Sequence, residues 1–203
     1  MLIKKINTSL NSFQLYTLFK DKPYSFFLDS GMDHEKLGNY SIIGFDPFLI
    51  FKNKGDKTDI YENGSISTYY GNPFDKLKKV MSAYKMDYKT KLPFVGGAVG
   101  YLGYDLYQHL EDLPRTTIDD VNIPDCYFGL YDGVIVIDHT KDEIYIASLG
   151  IKDDEEKIVA NIEDVIMLGE ENGVEISISS NSKSSEIVSN FTKEDYLDRK
   201  SVV

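Results

Sequence analysis

Gly133-Val134-Ile135-Val136-Ile137-Asp138-His139-Thr140-Lys141-Asp142-Glu143-Ile144-Tyr145-Ile146-Ala147-Ser148 reads as two strands around a polar turn. Gly133 to Asp138 and Glu143 to Ser148 are rich in β-branched and aromatic residues, which suit a pleated, half-buried surface. The four residues from His139 to Asp142 are hairpin length, so the strands pair antiparallel. Tyr127 to Tyr131 adds a third strand just upstream.

Outward from this hairpin, short strands recur. Tyr24 to Leu28, Tyr40 to Phe45 and Pro47 to Lys52 are candidates, the last two parted by the turn signal Asp46-Pro47. Asp59 to Glu62 and Ser65 to Tyr70 flank Asn63-Gly64, a pair that accepts positive φ at both positions of a tight hairpin turn. Phe94 to Tyr101 is apolar but glycine-rich, and Val174 to Ser179 alternates apolar and polar. Helices are fewer. Asn72-Pro73 reads as a cap and first turn, with Phe74, Leu77, Val80, Met81 and Tyr84 on one face. Asp154 to Leu168 carries the stripe Ile158, Ile162, Val165 and Ile166, with Gly169 as its stop. Ser9 to Phe19 and Tyr104 to Glu111 are shorter helical stretches. Antiparallel strands with segregated helices make an α+β chain, not the strict alternation of a nucleotide-binding sheet.

The 203 residues carry 22 Lys+Arg against 33 Asp+Glu, a net charge of −11. That balance argues against nucleic acid and against docking on anionic lipid. No apolar run reaches the roughly 18 residues of a membrane span, and Met1-Leu2-Ile3-Lys4-Lys5 lacks a signal-peptide core. A cytoplasmic location is expected. The single cysteine, Cys126, excludes an internal disulfide and a multi-cysteine zinc site. With no nearby basic residue it reads as an inert buried thiol.

His34, His109 and His139 lie far apart, without metal-ligand spacing. Asp153-Asp154-Glu155-Glu156 complements a helix start. Gly96-Gly97-Ala98-Val99-Gly100 has neither the spacing of a dinucleotide fingerprint nor a P-loop lysine, so it reads as a bent strand with close backbone approach. Asp29-Ser30, at a strand end before Gly31, is a turn or the polar floor of a pocket. No catalytic constellation and no metal site emerges from spacing alone.

Several segments together resemble one family. Phe27-Leu28-Asp29-Ser30-Gly31 precedes Leu37-Gly38-Asn39-Tyr40-Ser41-Ile42-Ile43-Gly44-Phe45-Asp46-Pro47. Pro93-Phe94-Val95-Gly96-Gly97-Ala98-Val99-Gly100-Tyr101-Leu102-Gly103-Tyr104-Asp105 follows, then Ile123-Pro124-Asp125, Tyr131-Asp132 and Ile137-Asp138-His139. In this order they resemble the N-terminal domain of component I of the chorismate-using synthases, which include anthranilate synthase and aminodeoxychorismate (para-aminobenzoate) synthase. Leu28 to Asp33, Lys36-Leu37-Gly38 and Gly103 before Tyr104-Asp105 look more like the aminodeoxychorismate branch. The family usually has arginine where Asn39 stands.

The resemblance implies a mostly antiparallel β sandwich with a few segregated helices. It divides the chain into residues 1–176, that N-terminal domain; 177–190, a serine-rich linker or edge; and 191–203, the start of a chorismate-binding C-terminal domain. Thr192 followed by Asp195 looks like a capping box opening that last helix. The implied function is the non-catalytic part of an enzyme that aminates chorismate to 4-amino-4-deoxychorismate for para-aminobenzoate and folate. Anthranilate synthesis, or a stand-alone amino-acid-binding module, is the alternative. Mg²⁺ is expected in the C-terminal domain of the full-length enzyme, not in this chain, which is expected to be inactive alone. The implied partners are a glutamine amidotransferase subunit and the chain's own C-terminal domain, with self-association where that domain is lacking. By position, a tryptophan-like ligand is expected against Leu28, Asp29, Ser30, Leu37, Gly38, Asn39 and Tyr40.

Overall fold

A computed structural model describes residues 1–30, 38–114, 118–174, 188–189 and 191–200. In chain order the elements are β1 (Leu2–Ile6), α1 (Ser12–Phe19), β2 (Phe26–Leu28), β3 (Tyr40–Gly44), β4 (Leu49–Lys54), β5 (Lys57–Glu62), β6 (Ser65–Tyr70) and α2 (Pro73–Ala83). Then come β7 (Gly97–Leu102), a 3-10 helix over Tyr104–His109, β8 (Cys126–Tyr131), β9 (Gly133–Asp138), β10 (Glu143–Ser148), α3 (Glu155–Asn172) and α4 (Lys193–Lys200). Among the described residues the strands form two antiparallel sheets of five. The first runs β1-β10-β9-β3-β2 and the second β6-β5-β4-β8-β7.

The layers follow from side-chain alternation. Ile43, Ile135, Ile137 and Ile146 leave the first sheet on one side and pack under α1 and α3, against Leu15, Phe19, Val159, Ile162 and Ile166. Val134, Val136 and Ala147 leave on the other side and meet Val95 and Tyr131 between the sheets. Strand β9 is therefore covered on both faces, which is why it reads as an unbroken apolar run. The second sheet's outer face carries Phe51, Ile60, Leu130 and Cys126 under Val80 of α2 and Leu106 of the 3-10 helix. The architecture is the α+β antiparallel sandwich expected from the sequence.

Asp132 alone separates β8 from β9, so the chain passes from one sheet to the other at this residue. Its buried carboxylate accepts backbone N–H groups from Leu149 (3.1 Å), Ile151 (2.9 Å) and Lys152 (2.7 Å). One side chain thus satisfies three donors and fixes the path from β10 toward α3. The Asn63-Gly64 hairpin forms as expected, with φ of 51° and 73° and Glu62 paired to Ser65.

Other expectations change. Strand β1 was not anticipated; it pairs with β10 from Leu2↔Ser148 to Ile6↔Ile144. Its Lys4 and Lys5 are solvated and ion-paired to Glu163 and Glu143, so it has the mixed character of an edge. Gly169 does not stop α3. The helix continues to Asn172 and ends at Gly173, whose φ is +76°. Gly169 is buried inside it, because an added Cβ would sit 2.6 Å from Leu18 Cδ2. Helix α1 starts later than Ser9, after an Asn11–Gln14 capping box with both hydrogen bonds made, at 2.9 and 3.0 Å. The stretch after Gly103 is a 3-10 helix ending at His109. Met81 is exposed rather than part of the buried stripe of α2.

At the C-terminal end, Thr192 Oγ1 accepts the Asp195 N–H (3.1 Å) and donates to the Asp195 carboxylate (2.8 Å). The shorter aspartate thus closes on the hydroxyl, where a full capping box has glutamate reaching the backbone. Most of the strand expected over 174–179, and most of the serine-rich stretch, lie outside the described residues.

Candidate functional site

Strands β2 and β3 pair as Phe26↔Gly44, Phe27↔Ile43 and Leu28↔Ile42. Continuing that register sets Asp29 opposite Ser41. Ser41 is fully buried, and its hydroxyl donates to Asp29 Oδ1 at 2.8 Å. The same oxygen lies 3.2 Å from the Ser30 backbone nitrogen and 2.7 Å from His139 Nε2. A hydroxyl has one hydrogen and two lone pairs. Since the hydrogen goes to Asp29, Ser30 N–H and His139 Nε2–H are both donors to Ser41. In that arrangement the His139 tautomer is the one protonated at Nε2, and the imidazole braces the Ser41 hydroxyl. The cluster is a polar cage at a strand end.

The cage is anchored by the β9–β10 turn. The His139 backbone N–H donates to the Asn39 carbonyl at 2.8 Å. Buried Asp138 holds the turn, accepting from Thr140 N (3.1 Å), Thr140 Oγ1 (2.6 Å), Lys141 N (3.2 Å) and Lys141 Nζ (2.7 Å). Burial alone would raise the Asp138 pKa, but hydrogen bonds from Lys141 and Thr140 overcome it and bring it down to about 2. Asp138 is thus a buried, fixed carboxylate that holds the turn, while Asp29, on the other face of the sheet, is exposed.

Of the residues expected around an amino-acid ligand, Asp29, Ser30 and the Asn39 backbone meet at this cage. Gly38 is buried beside it in sequence. Tyr40 belongs to the opposite face of β3, packed with Phe26 and Ile42 in the layer between the sheets. Leu28 shares that inter-sheet face by alternation and is half exposed. Leu37 lies outside the described residues, as does His34. Sequence reasoning missed Ser41 and His139 as partners of Asp29. The signal was present in the motifs: Tyr40-Ser41 and Ile137-Asp138-His139 fall on adjacent antiparallel strands paired Tyr40↔Asp138 and Ser41↔Ile137.

Cys126 is buried, and desolvation pushes its thiol up to about 11, so it is held as an unreactive thiol. Asp154 caps α3 by accepting the Glu156 and Lys157 N–H groups, as the acidic run suggested. The close approach expected of the glycine stretch is found at Gly96, where a Cβ would stand 2.8 Å from Leu149 and 3.0 Å from the Tyr131 carbonyl, and at Gly100, where it would collide with the Tyr127 carbonyl. Gly97 meets only Phe94, at 3.6 Å, so its requirement is conformational, with φ of +123°. Among the described residues no three His, Cys, Asp or Glu side chains are grouped to hold a metal ion. Among the described residues, too, no helix is long and apolar enough to cross a membrane.

Residues 23–202 match the family described as chorismate binding enzyme. The chain belongs to that family. It is 43% identical over 134 residues to anthranilate synthase component 1 of Acetivibrio thermocellus, a match covering 65% of this chain and 27% of that protein. It is 27% identical over 135 residues to aminodeoxychorismate synthase component 1 of Klebsiella aerogenes, covering 66% and 30%. Among solved structures, anthranilate synthase component I from Streptococcus pneumoniae TIGR4 superposes with a TM-score of 0.53 at 26% identity. That superposition covers 68% of this chain and 32% of the other. The chain thus matches less than a third of the length of these relatives.

Proposed function

We propose that this chain is the N-terminal, non-catalytic part of a component I synthase that aminates chorismate to 4-amino-4-deoxychorismate. The observation that carries the reading is the family match over residues 23–202, joined to matches that span less than a third of these component 1 relatives. The aminodeoxychorismate branch is favoured by Leu28-Asp29-Ser30 and by Gly103 before Tyr104-Asp105. The second reading, anthranilate formation, is favoured by the 43% identity to an anthranilate synthase component. The whole protein that carries this chain decides between them, given chorismate, ammonia and Mg²⁺. A product aminated para to the carboxylate-bearing carbon supports the first reading, and ortho amination supports the second.

In this reading a glutamine amidotransferase subunit supplies the ammonia, and Mg²⁺ is held by the chorismate-binding domain. Leu102, Tyr104, Leu110, Ile118, Val121 and Ile123, spread over the end of β7, the 3-10 helix and the segment before β8, are all more than half exposed, and such bare apolar surface supports the packing of that domain here. The isolated 203-residue chain self-associates when that surface is bare and does not turn over chorismate; measurable turnover by it would overturn the reading. An amino acid such as tryptophan would set its ammonium at Asp29, beside the Ser30 N–H. Asn39 lacks the guanidinium usual at its position, and a lost charge-assisted hydrogen bond weakens binding roughly ten- to hundredfold. Calorimetric titration with L-tryptophan should therefore give little heat in the micromolar range. Tight binding that survives Asp29→Asn and Ser30→Ala would move the site elsewhere.

A further inference from the structure

A cleft of about 550 Å³ opens between α2 and the segment that leads from it into β7. Its walls are apolar: Phe48, Tyr84, Met81, Met86, Phe94 and Leu130. Gly96 and Gly97 also line it, with φ of +137° and +123°. These are backbone conformations that L side chains rarely adopt, so the chain keeps a side-chain-free wall here at a conformational cost. An added Cβ at Gly97 would find only Phe94 within 4 Å, so that position faces open space, whereas one at Gly96 would stand 2.8 Å from Leu149 and is kept out by packing.

The rim has the opposite character. Lys78, Ser82 and Lys85 stand at it. Residues 76–91 contain six lysines and one acidic residue, in a chain whose net charge is −11. Among the described residues no carboxylate forms an ion pair with Lys78 or Lys85, whereas Lys4, Lys5, Lys54, Lys57, Lys141 and Lys157 are all paired. The chain thus concentrates unneutralised positive charge at the mouth of its apolar cleft, against the sign of the rest of the molecule. A small-molecule site has this form: mostly apolar walls, a volume of roughly 300–1,000 Å³ and a few polar groups that orient the ligand. The two methionines give the walls adaptable shape.

We propose that this cleft binds a small amphipathic carboxylate, its ring or branched apolar body between Met81, Met86 and Phe94 and its carboxylate at Lys78 and Lys85. The site lies at the β7 edge of the sandwich, where the inter-sheet residues Phe94 and Leu149 meet α2; Asp29 does not line it, and the proposal does not depend on chorismate turnover.

The methionines provide the readout. The chain has five, of which Met81 and Met86 line the cleft, while Met167 is exposed on α3. With methyl-labelled methionine, 1-naphthoate should shift the Met81 and Met86 signals saturably and leave Met167 unmoved. The isosteric neutral alcohol, 1-naphthalenemethanol, should bind at least tenfold more weakly. Lys78→Glu with Lys85→Glu should abolish that preference. Ser82→Phe, at an exposed helical position that plugs the cleft, should abolish binding of both compounds while the thermal melt stays near that of the parent. Equal affinity for acid and alcohol would overturn the proposal. So would shifts centred on Met167, no saturation by millimolar 1-naphthoate, or binding that persists in a folded Ser82→Phe variant.

Discussion

The two sheets of the sandwich are each covered by helix on the outside, and the covers differ. On the first sheet, α3 runs 18 residues and buries Val159, Ile162, Ile166 and Gly169, while α1 buries Leu15 and Phe19. Gly169 lets Leu18 of α1 come into contact, and Glu170 ties the β1–α1 connection by accepting from Thr8 Oγ1, Ser9 N and Ser9 Oγ. On the second sheet, α2 runs 11 residues and buries only Pro73 and Val80. Lys76, Lys78 and Lys79 occupy much of its surface, and clefts open along its flanks. One cover is core; the other is a helix laid over a sheet with room left beneath it. The difference lies in sequence: α3 offers an apolar stripe with a small residue where two helices meet, and α2 offers lysines.

The strongest test pairs a core deletion on each cover. Ile162→Ala on α3 should cost about 2–5 kcal/mol in urea denaturation, because the two-helix cover cannot collapse into the space. Val80→Ala on α2 removes less apolar volume beside a helix that can settle, and should cost about 1–2 kcal/mol. A Val80→Ala penalty as large as that of Ile162→Ala would mean that α2 is as firmly seated as α3.

A second test uses acid. The folded Asp138 carboxyl titrates at about 2, below the roughly 3.9 of an unfolded aspartate. A depressed carboxyl stabilises the fold fully above the unfolded value and loses that contribution as pH falls through the folded one. Stability should therefore drop between about pH 4 and pH 2, with the β9–β10 turn of the first sheet giving way. Asp138→Asn should be less stable than the parent at pH 7, by about 2 kcal/mol, because hydrogen bonds to a charged group are lost. The gap between the two proteins should narrow as pH falls through that window. A gap that stays constant from pH 5 to pH 2 would detach Asp138 from the acid sensitivity.

Much of this was legible. Asn63-Gly64, Asn72-Pro73 and the Gly133–Ser148 hairpin are local signals, written in backbone preferences of a few residues, and all three formed where expected. What failed depended on distant partners. Gly169 has the residue type of a helix stop, and only the arrival of Leu18, far away in sequence, keeps the helix going past it. Strand β1 carries two lysines in five residues, and only pairing to β10 makes it a strand. The candidate site divided in the same way. Asp29 and Ser30 stood out as a polar strand end, but Ser41 and His139 join them through a sheet register that single-sequence periodicity does not encode.

The smallest expected effect separates the covers most finely. Asn72 caps α2 by accepting the Phe74 N–H at 2.9 Å, and Asp154 caps α3 by accepting from Glu156 and Lys157 at 3.0 and 3.2 Å. Either cap replaced by alanine should cost about 1 kcal/mol or less of helix stability. Where that loss is felt should differ. Helix α3 opens only with the core it belongs to, so Asp154→Ala should lower global stability and speed exchange of α3 amides through global unfolding. Helix α2 shares few buried side chains with its sheet, so it can open by itself. Asn72→Ala should then speed amide exchange over residues 75–83 severalfold and leave the urea midpoint nearly unchanged. If both substitutions shift the midpoint equally, and α2 exchanges no faster than α3, the helix over the second sheet unfolds with the whole domain and the contrast between the covers is one of shape alone.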